Sequence, residues 1–286
     1  MKTSNVADLL FDVEKVAYTN SACLSDCSYD IFAYPEGVQT RIQTCSNRYE
    51  LVPNTEIFPA LRNTLLTSQF SNFTESYEMN NYSLFSAKYI LEDMAIQIKG
   101  ANDIIKPTVI VNHSYNGKRK YAIKFGFFRL VCSNGLTIPV KEMEFLNLQI
   151  GGKHTISIRE SLTLLSNRLE YVVNNLPDLT AGFNMLADEV VSNWSDRVIE
   201  VMAQAGIADR KIAQGKDSNG QTIPSVNVSE GIIANIRTEA FQLGSPVNNW
   251  LIYNGLNQYI YNDQMNDKTD EVRESIDRKV LSLLSA

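Results

Sequence analysis

Two Asn-Gly dipeptides, Asn116-Gly117 and Asn134-Gly135, constrain this chain more than any other feature. They punctuate a run from Lys106 to Pro139 that reads KPTVIVNHSYNGKRKYAIKFGFFRLVCSNGLTIP. An Asn-Gly pair supplies the positive-φ positions that a tight hairpin turn requires, and here each pair is flanked by residues suited to strands. From Lys118 to Arg129 the odd positions are Arg119, Tyr121, Ile123, Phe125, Phe127 and Arg129, and the even ones are Lys118, Lys120, Ala122, Lys124, Gly126 and Phe128. Strand side chains alternate between faces. One face is therefore aromatic and apolar in its middle, and the other carries three lysines. Thr108 to Asn112 and Lys118 to Phe128 are expected to pair as an antiparallel hairpin. Its lysine face either keeps a half-buried strand soluble or holds phosphates.

Helical signals dominate the second half. Ser157-Ile158-Arg159-Glu160 is a capping box. Ile158, Leu162, Leu165, Leu169, Val172 and Leu176 follow on one face, and Pro177 is expected to stop that helix. A second long helix is expected to carry Phe183, Leu186, Val190, Trp194, Val198 and Met202 and to end at Gly206. Ala208 to Val228 is polar and rich in Gly, Ser and Asn, so it reads as a mobile loop. Shorter helices are expected around Ile232 to Leu243, from Ser245-Pro246 through Tyr253, and from Thr269 to Leu284. Ahead of the ribbon, Ser4 to Ala17 reads as a helix, Val38 to Thr44 as a strand, Thr55 to Ser68 as a helix, and Glu75 to Met79 and Tyr82 to Ile98 as strands, with a helix over Ser86 to Met94 as the alternative. The fold class is α+β: an antiparallel β-sheet or hairpin in the N-terminal half, packed with the long helices of the C-terminal half. The division expected is an α+β core over residues 1–206 and a loop with a helical region over 207–286.

Charge narrows the function. The net charge of -6 argues against a chain that binds polyanions over its whole surface. Lys99 to Arg168, however, holds eleven basic residues against four acidic ones. A basic middle inside acidic flanks suits an anionic ligand on one surface. The four cysteines, Cys23, Cys27, Cys45 and Cys132, lack the spacing of a zinc site. They read as reduced thiols in a cytoplasm. No run is apolar and long enough to span a bilayer. There is no Walker loop, dinucleotide fingerprint or Gly-x-Ser-x-Gly elbow, and two histidines, His113 and His154, are too few for most triads or metal centres. No catalytic residue, metal or cofactor is assigned, and a binding protein is favoured over an enzyme.

Several runs carry a family resemblance. They are Cys45-Ser46-Asn47-Arg48-Tyr49, Ile110 to Gly117, Phe127-Phe128-Arg129-Leu130-Val131-Cys132-Ser133-Asn134-Gly135-Leu136, Lys153-His154-Thr155 and Asn249-Trp250-Leu251-Ile252-Tyr253-Asn254-Gly255-Leu256. In that order they resemble the phage/plasmid-like family called domain of unknown function 932, over roughly Cys45 to Tyr259. The chain departs from the family pattern at the first turn, where His113-Ser114-Tyr115-Asn116-Gly117 lacks the usual acidic residue. The resemblance implies a phage, prophage or plasmid context, and a ribbon followed by a capped helix is similar to the core of phage single-strand annealing proteins. The function expected is sequence-independent binding of single-stranded DNA, as a homo-oligomer that aids annealing or recombination. Lys118, Arg119, Lys120, Lys124, Lys153 and Arg159 would neutralise phosphates. Tyr115 and Tyr121 would stack on bases if exposed. Arg129, Cys132, Asn134 and His154 are expected to be structural and to pin the second turn against the helix entry. The alternatives are a protein-interaction factor acting on a host defence or replication protein, and a nucleic-acid-processing enzyme.

Overall fold

The computed structural model describes residues 2–3, 5–17, 29–119, 121–129, 135–136, 158–212, 220–221, 225–261, 265, 268 and 270–285. The strands of the first half are β1 (Lys2–Thr3), β2 (Asp12–Ala17), β3 (Tyr29–Tyr34), β4 (Thr40–Cys45), β5 (Phe73–Asn80), β6 (Leu84–Leu91), β7 (Ile96–Ile98), β8 (Asp103–Ser114), β9 (Ala122–Arg129) and β10 (Gly135–Leu136). Helix α1 (Asn54–Leu66) lies between β4 and β5. The second half is helical: α2 (Ile158–Asp188), α3 (Trp194–Ala205), α4 (Val228–Leu243), α5 (Asn249–Tyr261) and α6 (Asp270–Leu284), with a short ladder of β11 (Lys211–Ile212) and β12 (Val226–Asn227) before α4. This is an α+β fold with antiparallel sheets. One sheet runs in the order β1-β5-β6-β8-β9-β10 with β7 also on β8, and a second runs β2-β3-β4. The chain gathers into two units of three segments each: Met1–Met94, Pro107–Phe125 and Phe145–Asn174 in the first, Ala95–Lys106, Gly126–Glu144 and Asn175–Ala286 in the second. Residue 206, where the sequence suggests a division, falls inside the second unit.

In the first unit the strand pattern is read directly from alternation. Tyr77 and Met79 of β5 and Phe85, Ala87, Tyr89 and Leu91 of β6 are buried, while their neighbours along each strand are not. Helix α1 buries Ile57, Phe58, Leu61 and Leu65, a helical stripe. The ring of Phe58 meets that of Tyr77 edge-on at 6.0 Å. Pro59 lies in the helix interior rather than its first turn. Residues 5 to 17 do not form the helix expected from Ser4 to Ala17. A 3-10 turn over Val6–Leu9 is capped by the Asn5 side chain, and Asp12–Ala17 then pairs residue by residue with Tyr29–Tyr34. The valines at 13 and 16 fit a helical stripe as well as a strand, and the neighbouring strand decides between them.

Strands β8 and β9 are neighbours joined by 115–121, a link too short for a parallel crossover, so they form the expected antiparallel hairpin. The hairpin differs from expectation in two ways. The strand begins at Ala122, so Lys118 belongs to the turn and not to the lysine face, and Arg119 to the turn and not to the aromatic face. Opposite the buried Ile123, Phe125, Phe127 and Arg129, Ala122 and Gly126 are buried and Lys124 and Phe128 half-buried, so the second face is partly covered rather than open. The turn is wide because side chains close it. Asn116 Oδ1 accepts from the Lys118 N–H at 3.1 Å, and Ser114 Oγ accepts from the Arg119 N–H at 3.1 Å and donates to its carbonyl at 2.6 Å.

In the second unit the helices part from expectation at two points. The α2 helix runs through Pro177 to Asp188. A proline inside a helix costs about 3 kcal/mol, but Leu179, Phe183 and Leu186 beyond it are buried, and each such side chain contributes about 1.5–3 kcal/mol. Continuing therefore outweighs stopping. The chain breaks instead at residues 189–193, where Val190 bridges Asn248 and the Val191 N–H donates to the Val247 carbonyl at 3.0 Å. The expected ends at Gly206 and Gly244 are in place, at φ +83° and +59°. Helix α5 is buried almost all round, against α4 and α6. Its Gly255 permits the approach to α4, since a Cβ there would lie 2.5 Å from Ile236 Cγ1. Gly135 and Leu136 of β10 pair with Phe128 and Phe127 of β9, and Asn134 of the second expected turn lies outside the described residues. Ser157 of the capping box lies outside the described residues.

Candidate functional site

Two turns of the first unit meet at one edge. The β5–β6 turn is closed by the Ser83 N–H donating to the Asn80 carbonyl at 3.1 Å. The β8–β9 turn is fastened to it: the Tyr115 N–H donates to the Ser83 carbonyl at 2.8 Å, and Asn116 Nδ2 donates to Ser83 Oγ at 3.0 Å. Gly117, at φ +66°, comes close to β4, where a Cβ would lie 3.9 Å from Gln43 Nε2. Lys118 and Arg119 project from this fastened turn and are exposed. Two cations are thus held on an ordered backbone with their side chains in solvent, a geometry suited to phosphate oxygens.

The remaining residues expected at such a site divide. Lys124 is half-buried on β9. Lys120 and Lys153 lie outside the described residues, as does the side chain of Arg159. Tyr115 is not a stacking residue. It is fully buried, and its phenol oxygen accepts the Asn54 N–H at 2.7 Å. That N–H belongs to the first turn of α1, where backbone donors lack a helical partner, so Tyr115 serves the fold. Its ring also packs edge-on against Phe85 at 4.9 Å. Tyr121 is half-buried, with its ring 6.0 Å from that of His113. His113 is itself buried, with Nε2 at 3.1 Å from the Val52 carbonyl. A carbonyl can only accept, so Nε2 carries the proton and His113 is held as a structural donor. Tyr82, expected at the start of a strand, is instead an exposed aromatic on the adjoining turn. The signal that could have marked it is the Asn80-Asn81-Tyr82-Ser83 run, which reads as turn rather than strand.

A second constellation is buried in the second unit. Arg129 Nε lies 2.7 Å from Asp103 Oδ2, and its Nη1 lies 2.9 Å from Glu239 Oε2. Trp250 Nε1 donates to the same Asp103 oxygen at 3.0 Å, and the guanidinium sits over the indole at 5.8 Å. Burial alone would lower the guanidinium's pKa, but the carboxylates of Glu239 and Asp103 outweigh it and hold the pKa above the ordinary arginine value. Arg129 Nη2 and Asp103 Oδ1 have no partner among the described residues. This arrangement fixes β8, β9, α4 and α5 about one point, and buries arginine too deeply to meet a large ligand. The partners of Arg129 are thus Asp103, Glu239 and Trp250, while Cys132, Asn134 and His154, expected beside it at the second turn, lie outside the described residues.

Among the described residues no group of three or more His, Cys, Asp and Glu side chains could hold a metal ion, and no helix is long and apolar enough to cross a membrane. No curated protein and no solved structure matches the chain. The network of Arg129 and Trp250 joins two of the runs that carry the family resemblance, and the family model described as a domain of unknown function (DUF932) matches residues 41–278. By that match across most of its length, the chain belongs to the domain of unknown function 932 family.

Proposed function

We propose that this protein binds single-stranded nucleic acid without sequence preference through the β8–β9 turn. The observation that carries the reading is the pair Lys118 and Arg119, exposed on a turn that hydrogen bonds hold in place. The basic excess of the surrounding segment supports it, because a phosphate backbone responds to summed charge. In this reading the chain serves a phage or other mobile element in the host cytoplasm, and aids annealing or recombination of DNA. No bond is made or broken, and neither metal nor cofactor takes part.

Fluorescence anisotropy of a labelled oligonucleotide over a salt series tests this. Each phosphate contact contributes a slope of about -0.7 for single strands. Replacing Lys118 and Arg119 together by alanine is expected to weaken binding to any single strand and to flatten the slope by about 1.4. Absence of binding by the unaltered protein at low salt would overturn the proposal.

The protein is further proposed to work as a homo-oligomer. Phe241 on α4 and Met185 on α2 favour this, being 87% and 74% exposed, unusual for side chains of their type. Light scattering over a concentration series checks it. Phe241→Ser is expected to lower the mass, and a monomer at all concentrations would refute the oligomer.

A further inference from the structure

The β5–β6 turn breaks a local rule. Its central residues, Asn81 and Tyr82, have φ of +49° and +52°. Paired positive φ values belong to the type I′ turn, whose usual residues are asparagine followed by glycine. Asparagine tolerates the left-handed region, but a tyrosine there sets its Cβ against the following carbonyl. Residues kept in such conformations gather at sites of function, where the surrounding structure holds them. Packing accounts for one edge of the ring, which meets Phe11 at 5.9 Å with the planes at 87°. The residue is nonetheless 39% exposed.

Its position gives the exposed portion a use. Tyr82 directly precedes Ser83, whose carbonyl and hydroxyl oxygens accept from Tyr115 and Asn116 of the neighbouring turn. Lys118 and Arg119 follow two and three residues after Asn116. One exposed ring and two exposed cations therefore share one rim. We infer that Tyr82 is the platform on which an unpaired base stacks while Lys118 and Arg119 take the flanking phosphates. This rests on the nucleic-acid reading above and adds the residue that meets the bases and so selects strands with free base faces. In a duplex each base is already stacked on its neighbours and offers the ring no face, so Tyr82 favours single strands over duplex.

The test uses the whole protein with a labelled oligothymidylate and a labelled hairpin duplex, each over a salt series. Tyr82→Gly suits the turn's backbone and removes the ring, and Tyr82→Phe keeps the ring and its contact with Phe11. Tyr82→Gly is expected to weaken binding to oligothymidylate about ten-fold with the salt slope unchanged. It should leave duplex binding as it was, and Tyr82→Phe should bind like the unaltered protein. Thermal melts followed by circular dichroism confirm that both variants fold. The inference is overturned if Tyr82→Gly binds oligothymidylate as before, if it loses equally on the duplex, or if Tyr82→Phe loses as much as Tyr82→Gly. Failure of the unaltered protein to bind either probe removes the underlying reading as well. A flattened slope in the Lys118 and Arg119 variant, with no effect at Tyr82, removes this inference alone.

Discussion

Arg129 and Asp277 show how buried charge behaves in the second unit. Arg129 is surrounded by two carboxylates and an indole, and each of those groups needs it as much as it needs them. Removing one partner of a buried ion pair strands the other, at a cost of about 3–5 kcal/mol. Arg129→Ala is therefore expected to lower the free energy of unfolding by that amount in urea titrations, far more than an exposed arginine such as Arg119 would. Asp277 is governed by burial instead. Its carboxyl is fully buried and accepts from Asn257 Nδ2 at 3.0 Å. Burial pushes its pKa up from the ordinary 3.8 to about 8, against the hydrogen bonds of Asn257, Tyr253 and Tyr261, and Glu274 adds to the rise. Between those two values the folded chain keeps a proton that the unfolded chain has lost. Stability is thus greatest at low pH within that window and falls as pH rises, by about 1.4 kcal/mol per pH unit, until Asp277 ionises in the fold too. Asp277→Asn is expected to remove this slope and to raise the melting temperature at pH 8 more than at pH 5. An identical pH profile in the two proteins would show that Asp277 is not protonated in the fold.

Helices α2 and α5 make the corresponding argument at the scale of elements. Pro177 is exposed within α2. Its replacement by alanine loses little packing and restores a backbone donor, so Pro177→Ala is expected to stabilise the chain by about 1–3 kcal/mol. If the helix instead ended at that proline, the substitution would do almost nothing. Gly255 tests the opposite case. A methyl group there meets Ile236 at 2.5 Å, so Gly255→Ala is expected to destabilise by about 1–3 kcal/mol through overpacking. Ile236→Ala should recover part of that loss in the double variant, because it removes the atom in the way. Both measurements read chemical denaturation midpoints. Their outcomes depend on which faces of α4 and α5 meet, a matter of packing rather than of either helix alone.

Across the whole molecule, chain order and spatial order diverge. Each unit draws on three segments. Asp103 and Arg129 come from the strands, and Glu239 and Trp250, which complete their network, come from helices more than a hundred residues later in the chain. A fragment of residues 1–206 would retain Asp103 and Arg129 without Glu239 or Trp250, and would lack the buried helix α5. It is expected to show no cooperative urea transition and to aggregate, whereas the full chain unfolds cooperatively. A fragment with a sharp transition would show that the α+β core stands by itself.

What the sequence by itself determined is local. Glycine ends at Gly206 and Gly244, the Asn116-Gly117 hairpin and the strict alternation of β6 all follow from φ preference and two-residue periodicity, which operate within a few residues. The family too was legible, because its runs are contiguous. Tertiary structure alone decided the rest. Val13 and Val16 suit a helix or a strand, and pairing with β3 chose the strand. Pro177 disfavours a helix, and burial of Leu179, Phe183 and Leu186 overruled it. At the candidate site the alternation placed Lys118 on a strand face and left Tyr115 open to solvent or core. The side chains of Ser114 and Asn116 made Lys118 part of a turn, and the orphan N–H of Asn54 drew Tyr115 inward. Tyr82 gained its place beside Lys118 and Arg119 only when Ser83 bonded across two turns. Such hydrogen bonds between segments distant in sequence leave no periodicity to read.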